Sequence, residues 1–154
     1  MKRIKAKPDR IVFQMAVVEK RLLEEVLDLY PLIPAHYAKL NRSSDTPALR
    51  EAQQLLDEAL DEQRRENRRR LAAFLRDAHR FLPAPAGFLF TLNQPELEWL
   101  LAVLNDIRVG SWLRLGSPET ASGDAIVRTP QTEPFIRAMD LSGYFQTVLL
   151  GTAL

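Results

Sequence analysis

The stretch Trp99–Leu115, WLLAVLNDIRVGSWLRL, constrains the fold more than any other. As a helix it is apolar at nearly every angle. A helix without a wide polar side is expected to be covered by the rest of the chain on most sides. One polar group of residues interrupts it, Asn105, Asp106 and Arg108, with Ile107 among them. Its start is marked by Asn93 as N-cap, Pro95 near the first helical position and Glu96 in the first turn. Gly116 at C′ and Pro118 beyond it mark the stop. The expected central helix is 95–115. Leu97, Leu101, Leu104, Ile107, Trp112 and Leu115 are expected in the core, and Gly110–Ser111 at a close helix crossing.

A chain of 154 residues can form one domain that buries about 70% of its unfolded surface. A formal net charge of +1 gives no overall attraction to nucleic acid or anionic membrane, so only local clusters could supply one. The absence of cysteine removes disulfides, thiolate nucleophiles and cysteine-held zinc, and fits a reducing compartment. No cofactor or metal motif is visible. The basic N-terminus, MKRIKAKPDR, has no apolar stretch of the kind a signal peptide carries. Asp106, Arg108 and Arg114 break the best candidate for a membrane span. A cytoplasmic protein with no membrane partner is expected.

Residues 1–15 alternate, with a turn signal at Pro8–Asp9, and predict a β-hairpin. Helical spacing then takes over in 17–37. Val18, Leu22, Val26 and Leu29 form its stripe, Leu23, Leu27 and Tyr30 widen it, and Pro31 and Pro34 break it. His36 follows; a surface loop histidine is preferred over a general base there. A polar linker, 40–45, leads to Thr46–Pro47, an N-cap and first-turn pair that opens a long helix, 47–81. Residues 88–92, Phe-Leu-Phe-Thr-Leu, predict a third strand for the hairpin. Segment 116–132 is expected to be a loop. A last helix, 134–150, carries Phe135, Met139, Ser142, Phe145 and Leu149 in one stripe, with Gly143 allowing close packing. The expected fold is a mainly α single domain, 1–154: a helical bundle around a central buried helix, with a small antiparallel sheet.

Two surfaces invite a functional reading. The long helix is acidic early and basic late, and Arg64, Arg65, Arg68, Arg69, Arg76 and Arg80 share one broad face. They could contact phosphates. The structural account also explains the acidic half: acids early and bases late suit the helix dipole, and Asp61–Arg65 and Glu66–Arg70 are i,i+4 pairs. No aromatic residues interleave with the arginines, so nucleic acid is disfavoured as a partner. The second surface is the polar cluster Asn105, Asp106 and Arg108, with Gln146 as partner from the last helix. It could hold a small ligand. The preferred reading is a buried network that fixes helix docking, because an unpaired buried charge is very costly.

The segment WLLAVLNDIRVGSWLRLG, followed after a loop by DLSGYFQTVLL, resembles an uncharacterised bacterial family, domain of unknown function two-thousand-and-seventeen. The resemblance rests on Asn105, Asp106, Ile107 and Arg108 and on Phe145–Gln146, where members carry leucine–glutamine. After the arginine, members often show an Ala-Leu-Gly-Thr-Arg-Leu run. Here it is Val109–Leu115, so the glycine register departs from the pattern. The resemblance implies a basic N-terminal strand, a Leu-rich helix, a variable middle, an aromatic strand and two C-terminal helices. It implies no established activity, and its members' genes often lie near that of the Clp adaptor, a link to protein turnover. The function expected is therefore a non-enzymatic interaction or regulatory role with a protein partner. A small-ligand binder or enzyme using Asp106, Arg108 and Gln146 is the alternative, and self-association as a homodimer is a further one.

Overall fold

The computed structural model describes residues 1–7, 9–33, 46–119 and 126–151. Among them the chain forms β1 (Lys2–Lys7), β2 (Arg10–Met15), α1 (Val17–Leu27), α2 (Pro47–Arg76), β3 (Phe81–Ala84), β4 (Gly87–Leu92), α3 (Gln94–Arg114) and α4 (Glu133–Leu150). The fold is mainly α with a small antiparallel sheet. The expected features at His36 and along 40–45 lie outside the described residues. The expected 17–37 helix ends early: α1 stops at Leu27, before Pro31, and 34–37 lie outside the described residues.

The sheet runs β1-β2-β4-β3, every neighbour antiparallel. The expected hairpin and third strand are present, and a fourth strand joins them. β3 occupies Phe81–Ala84, where a helix end and a break were expected, and α2 stops at Arg76. β3 is an edge strand, which is why it tolerates Pro83 without losing an interior ladder bond. Pro85 and Ala86 form the two-residue connection between Ala84 and Gly87. Gly87 has φ +128°, and a Cβ there would stand 2.4 Å from the Met15 carbonyl oxygen. No other residue type fits that corner.

Side chains alternate across the sheet, so one face is apolar. Phe13, Met15, Phe90 and Leu92 are fully buried on it, beside Ile11 and Phe81. Phe90 is the hub: it stacks on Phe81 with ring centroids 4.9 Å apart and meets Phe74 of α2 edge-on at 6.0 Å. Burying such a ring contributes about 1.5–3 kcal/mol.

α3 starts with a full capping box. Asn93 accepts from the Glu96 N–H at 2.8 Å, and Glu96 accepts from the Asn93 N–H at 2.9 Å. It carries seven buried residues, the most of any helix: Leu97, Leu100, Val103, Leu104, Ile107, Gly110 and Ser111. One side is nevertheless open, since Glu98, Ala102, Asn105, Arg108 and Trp112 are exposed. A helix wrapped on most sides is therefore not what forms. Trp112 leaves the expected core because its indole N–H donates outward to the Pro118 carbonyl at 3.1 Å. The same ambiguity of an all-round apolar helix hid Leu100 and Val103, which are core.

The close approach at Gly110 is real, but its partner is the segment after α1 rather than a helix. A Cβ on Gly110 would lie 2.5 Å from Leu32 Cβ and 2.8 Å from the Leu32 carbonyl carbon. Ser111 satisfies its buried hydroxyl by donating back to the Ile107 carbonyl at 2.8 Å. Gly143, expected at a packed contact, faces open space: a Cβ there meets nothing within 4 Å. In α1 and the turn after it the buried residues are Leu23, Val26, Leu27 and Tyr30, whereas Val18 and Leu29 are exposed.

Thr46 caps α2, its hydroxyl accepting from the Leu49 N–H at 3.2 Å. Among the 30 residues of α2 only Leu71 and Phe74 are buried. Leu71 and Phe74 lie near its C-terminal end, Leu49, Leu56 and Leu60 are half-buried, and Leu55 in its first half is 61% exposed.

Candidate functional site

The polar residues singled out in α3 divide between two neighbours. Asp106 and Arg108, two residues apart, project about 200° apart on the helix. Arg108 turns toward α4, where its guanidinium donates to Gln146 Oε1 at 3.5 Å. The Gln146 amide in turn donates to the Leu101 carbonyl at 3.5 Å. The expected Arg108–Gln146 partnership thus forms, as a long bond at an exposed position. Asn105 is exposed as well. Of the four residues, Asp106 and Gln146 are half-buried, so the cluster is not the sealed interior network expected. Surface exposure of Asn105 and Arg108 is the physical reason: no burial cost obliges them to join an interior network.

Asp106 faces the other side, toward α2 and the end of α1. Burial pushes its carboxyl above the ordinary aspartate range, and the Arg64 guanidinium partly offsets this. A second polar chain sits beside it. The Trp99 indole N–H donates to Asn67 Oδ1 at 3.1 Å, and the Asn67 amide donates to the Tyr30 hydroxyl at 3.0 Å. Burial raises the Tyr30 phenol; the Asn67 hydrogen bond opposes this, the Asp106 charge adds to it, and Arg64 opposes it again. Arg70 lies over the Trp99 ring at 4.2 Å. This seam joins the turn after α1 to α2 and α3 through the Asn67 amide. Sequence periodicity places Asn67 in the apolar stripe of α2, but does not reveal which indole and phenol it joins.

The basic residues of α2 are interleaved with carboxylates. Arg64 approaches Asp61 at 3.4 Å, Arg65 binds Glu62 at 2.8 Å, and Arg69 binds Glu62 and Glu66, each at 3.1 Å. The pairs within one turn are i,i+3 rather than the expected i,i+4. Exposed pairs of this kind contribute little, typically about 0.2–1 kcal/mol. Arg68 and Arg76 are exposed and make no ion pair among the described residues.

Arg80 has a different part. It forms a bidentate pair with Glu96, at 2.8 and 2.7 Å, donates to the Thr91 carbonyl at 2.8 Å, and lies 4.3 Å from the Phe74 ring centre. Burial pushes Glu96 upward, but the Arg80 and Asn93 hydrogen bonds and the Arg80 and Arg70 charges outweigh it. The carboxyl therefore sits below the ordinary glutamate range. Arg80 is a lock between the approach to β3, the strand β4 and the N-terminus of α3, not part of an open basic face.

The cavities lined by described residues include three. One of about 160 Å³ lies between Leu27, Tyr30, Arg68 and Leu71. One of about 280 Å³ opens beside Met1, Gln14 and Glu19. One of about 90 Å³ lies between α1 and α4, at Leu29, Pro134 and Leu141, under the Glu25–Arg137 ion pair. None of them is lined by Asp106, Arg108 or Gln146. Among the described residues no three of His, Asp and Glu converge as a metal site would need. No helix among the described residues is long and apolar enough to cross a membrane.

No family model, curated protein or solved structure matches this chain.

Proposed function

We propose that the chain is a non-enzymatic interaction or regulatory protein that meets a protein partner through α2. The observation that carries this reading is the shallow burial of that helix among the described residues. A 30-residue helix is about 45 Å long, yet no residue before Leu71 in it is buried among the described residues. Leu55 stands exposed one helical turn from Glu51 and Glu58, which suits an apolar contact with a polar rim. The divergence of Asp106 from Arg108 and Gln146 weighs against a ligand site built from the three. The carboxylates paired with Arg64, Arg65 and Arg69 weigh against phosphate binding.

The resemblance of the Asn-Asp-Ile-Arg helix supports placement in the family named above. Through the gene neighbourhood of that family it supports a role in regulated proteolysis in the cytoplasm. A photo-crosslinking residue at Leu55, with one at Val127 as control, tests the α2 surface in native cells. The expected result is a defined protein adduct at Leu55 that is lost with Arg65→Glu and Arg69→Glu. No adduct at Leu55 above the control would overturn the reading.

A further inference from the structure

The sheet carries a second charged surface. Among the described residues β1 is an edge strand paired with β2 alone, and all six of its residues are exposed. Strand alternation would normally send its cations to both faces. The register skips at Ile4, between Arg3 and Lys5, and this bulge changes the outcome. Lys2 pairs with Gln14, Lys5 with Val12 and Lys7 with Arg10, so Lys2, Lys5, Lys7 and Arg10 share the outer face. Arg3 goes to the inner side, where its guanidinium donates to the Leu150 carbonyl at the C-terminus of α4, 3.5 Å away.

These four cations make no ion pair among the described residues. Lys7 and Arg10 stand directly opposite each other, an arrangement that is repulsive in a hairpin. Asp9, exposed in the turn, pairs with neither. A strand edge thus offers unpaired backbone groups and uncompensated positive charge together.

We propose that the outer edge of β1 receives an extended acidic polypeptide segment, which adds to the sheet as a fifth strand. Strand addition supplies backbone hydrogen bonds, and alternate carboxylates on the added strand stand beside Lys2, Lys5 and Lys7, with Arg10 one strand further in adding to the positive field. A second copy of this chain is a poor occupant, because β1 against β1 opposes lysine to lysine. Single-stranded nucleic acid is also a poor one. Phe13, Phe81, Phe88 and Phe90 all fall on the inner face, which leaves no ring on the outer face for a base to stack on. The surface is separate from α2 and does not depend on the reading given for it.

The test uses the whole chain and a labelled peptide alternating glutamate with threonine, about six to ten residues long, read by fluorescence anisotropy. The wild type binds it, and β1 amide exchange slows in the complex. Lys5→Glu with Lys7→Glu weakens binding about tenfold or more, since rim charges of both residues reverse. The same variant melts no lower than wild type, because Lys7→Glu replaces a repulsive cross-strand pair with an attractive one. A peptide of equal charge with N-methylated alternate amides also loses binding. No peptide binding, equal binding of the N-methylated peptide, undiminished binding by the variant, or tighter binding of oligothymidine would each overturn the proposal. α2 is unaltered throughout, so failure here leaves the Leu55 crosslink unchanged.

Discussion

Gly110→Ala and Gly143→Ala are the same substitution in two helix interiors, and the structure predicts opposite signs. Replacing a mid-helix glycine by alanine stabilises by about 0.5–1 kcal/mol where space allows. At Gly143 the new methyl meets nothing within 4 Å, so that gain should appear in full. At Gly110 the methyl would stand 2.5 Å from Leu32 Cβ, 2.8 Å from the Leu32 carbonyl carbon and 2.9 Å from the Ile33 nitrogen. Two of these three atoms are backbone and cannot swing aside as a side-chain tip can. Overpacking of this kind costs about 1–3 kcal/mol, toward the upper end when backbone must move. The net expectation is a destabilisation of about 1–2 kcal/mol, or a fall in Tm of about 2–8 °C for a chain of this size. Thermal and urea unfolding followed by circular dichroism read both variants. A neutral or more stable Gly110→Ala would refute the close approach of the segment after α1, and a destabilised Gly143→Ala would refute the open setting of that glycine.

Asn67→Leu should cost about 1–3 kcal/mol in urea unfolding, because it strands the Trp99 indole N–H and the Tyr30 hydroxyl at a half-covered seam. Arg80→Ala should cost about 1.5–3 kcal/mol, the range for hydrogen bonds to charged groups. Because Glu96 lies below its ordinary range when folded, the stability it contributes is full above the ordinary glutamate pKa and is lost as pH falls through the lowered value. Glu96→Gln should therefore flatten the acid limb of the stability profile. Asp106 has the opposite sign: its carboxyl is raised by burial, so the folded state takes up its proton first. Stability from this group rises as pH falls through the raised value, and Asp106→Asn should be more stable than wild type at neutral pH, with the difference shrinking in acid.

The hairpin, β4, the caps at Thr46 and Asn93 and the four helices were legible because local rules suffice for them: alternation, helical spacing and capping chemistry. β3 was not. Four residues containing Pro83 carry too little alternation to register, and Phe81 also fits the preceding helical stripe. In α3 the apolar residues surround the axis, so periodicity could not say which side faces water. Trp112 was placed inside and Leu100 and Val103 were overlooked for that reason. Pairing within the candidate cluster was half legible. Gln146 meets Arg108 because both offer complementary groups at facing helix positions. The separation of Asp106 depends on where α2 crosses, which no spacing in α3 encodes. The four outward cations of the sheet were hidden by the bulge at Ile4, since strict alternation assigns them to two faces.

A double-mutant cycle between Asp106→Asn and Arg108→Ala, read as unfolding free energy, tests most directly whether the polar residues of α3 form one site or two. Two separate environments predict additivity, with a coupling within about 0.5 kcal/mol. A coupling above about 1 kcal/mol would mean that the two side chains share one network, and the division of the α3 polar residues between two neighbours, which weighs against a ligand site there, would be contradicted.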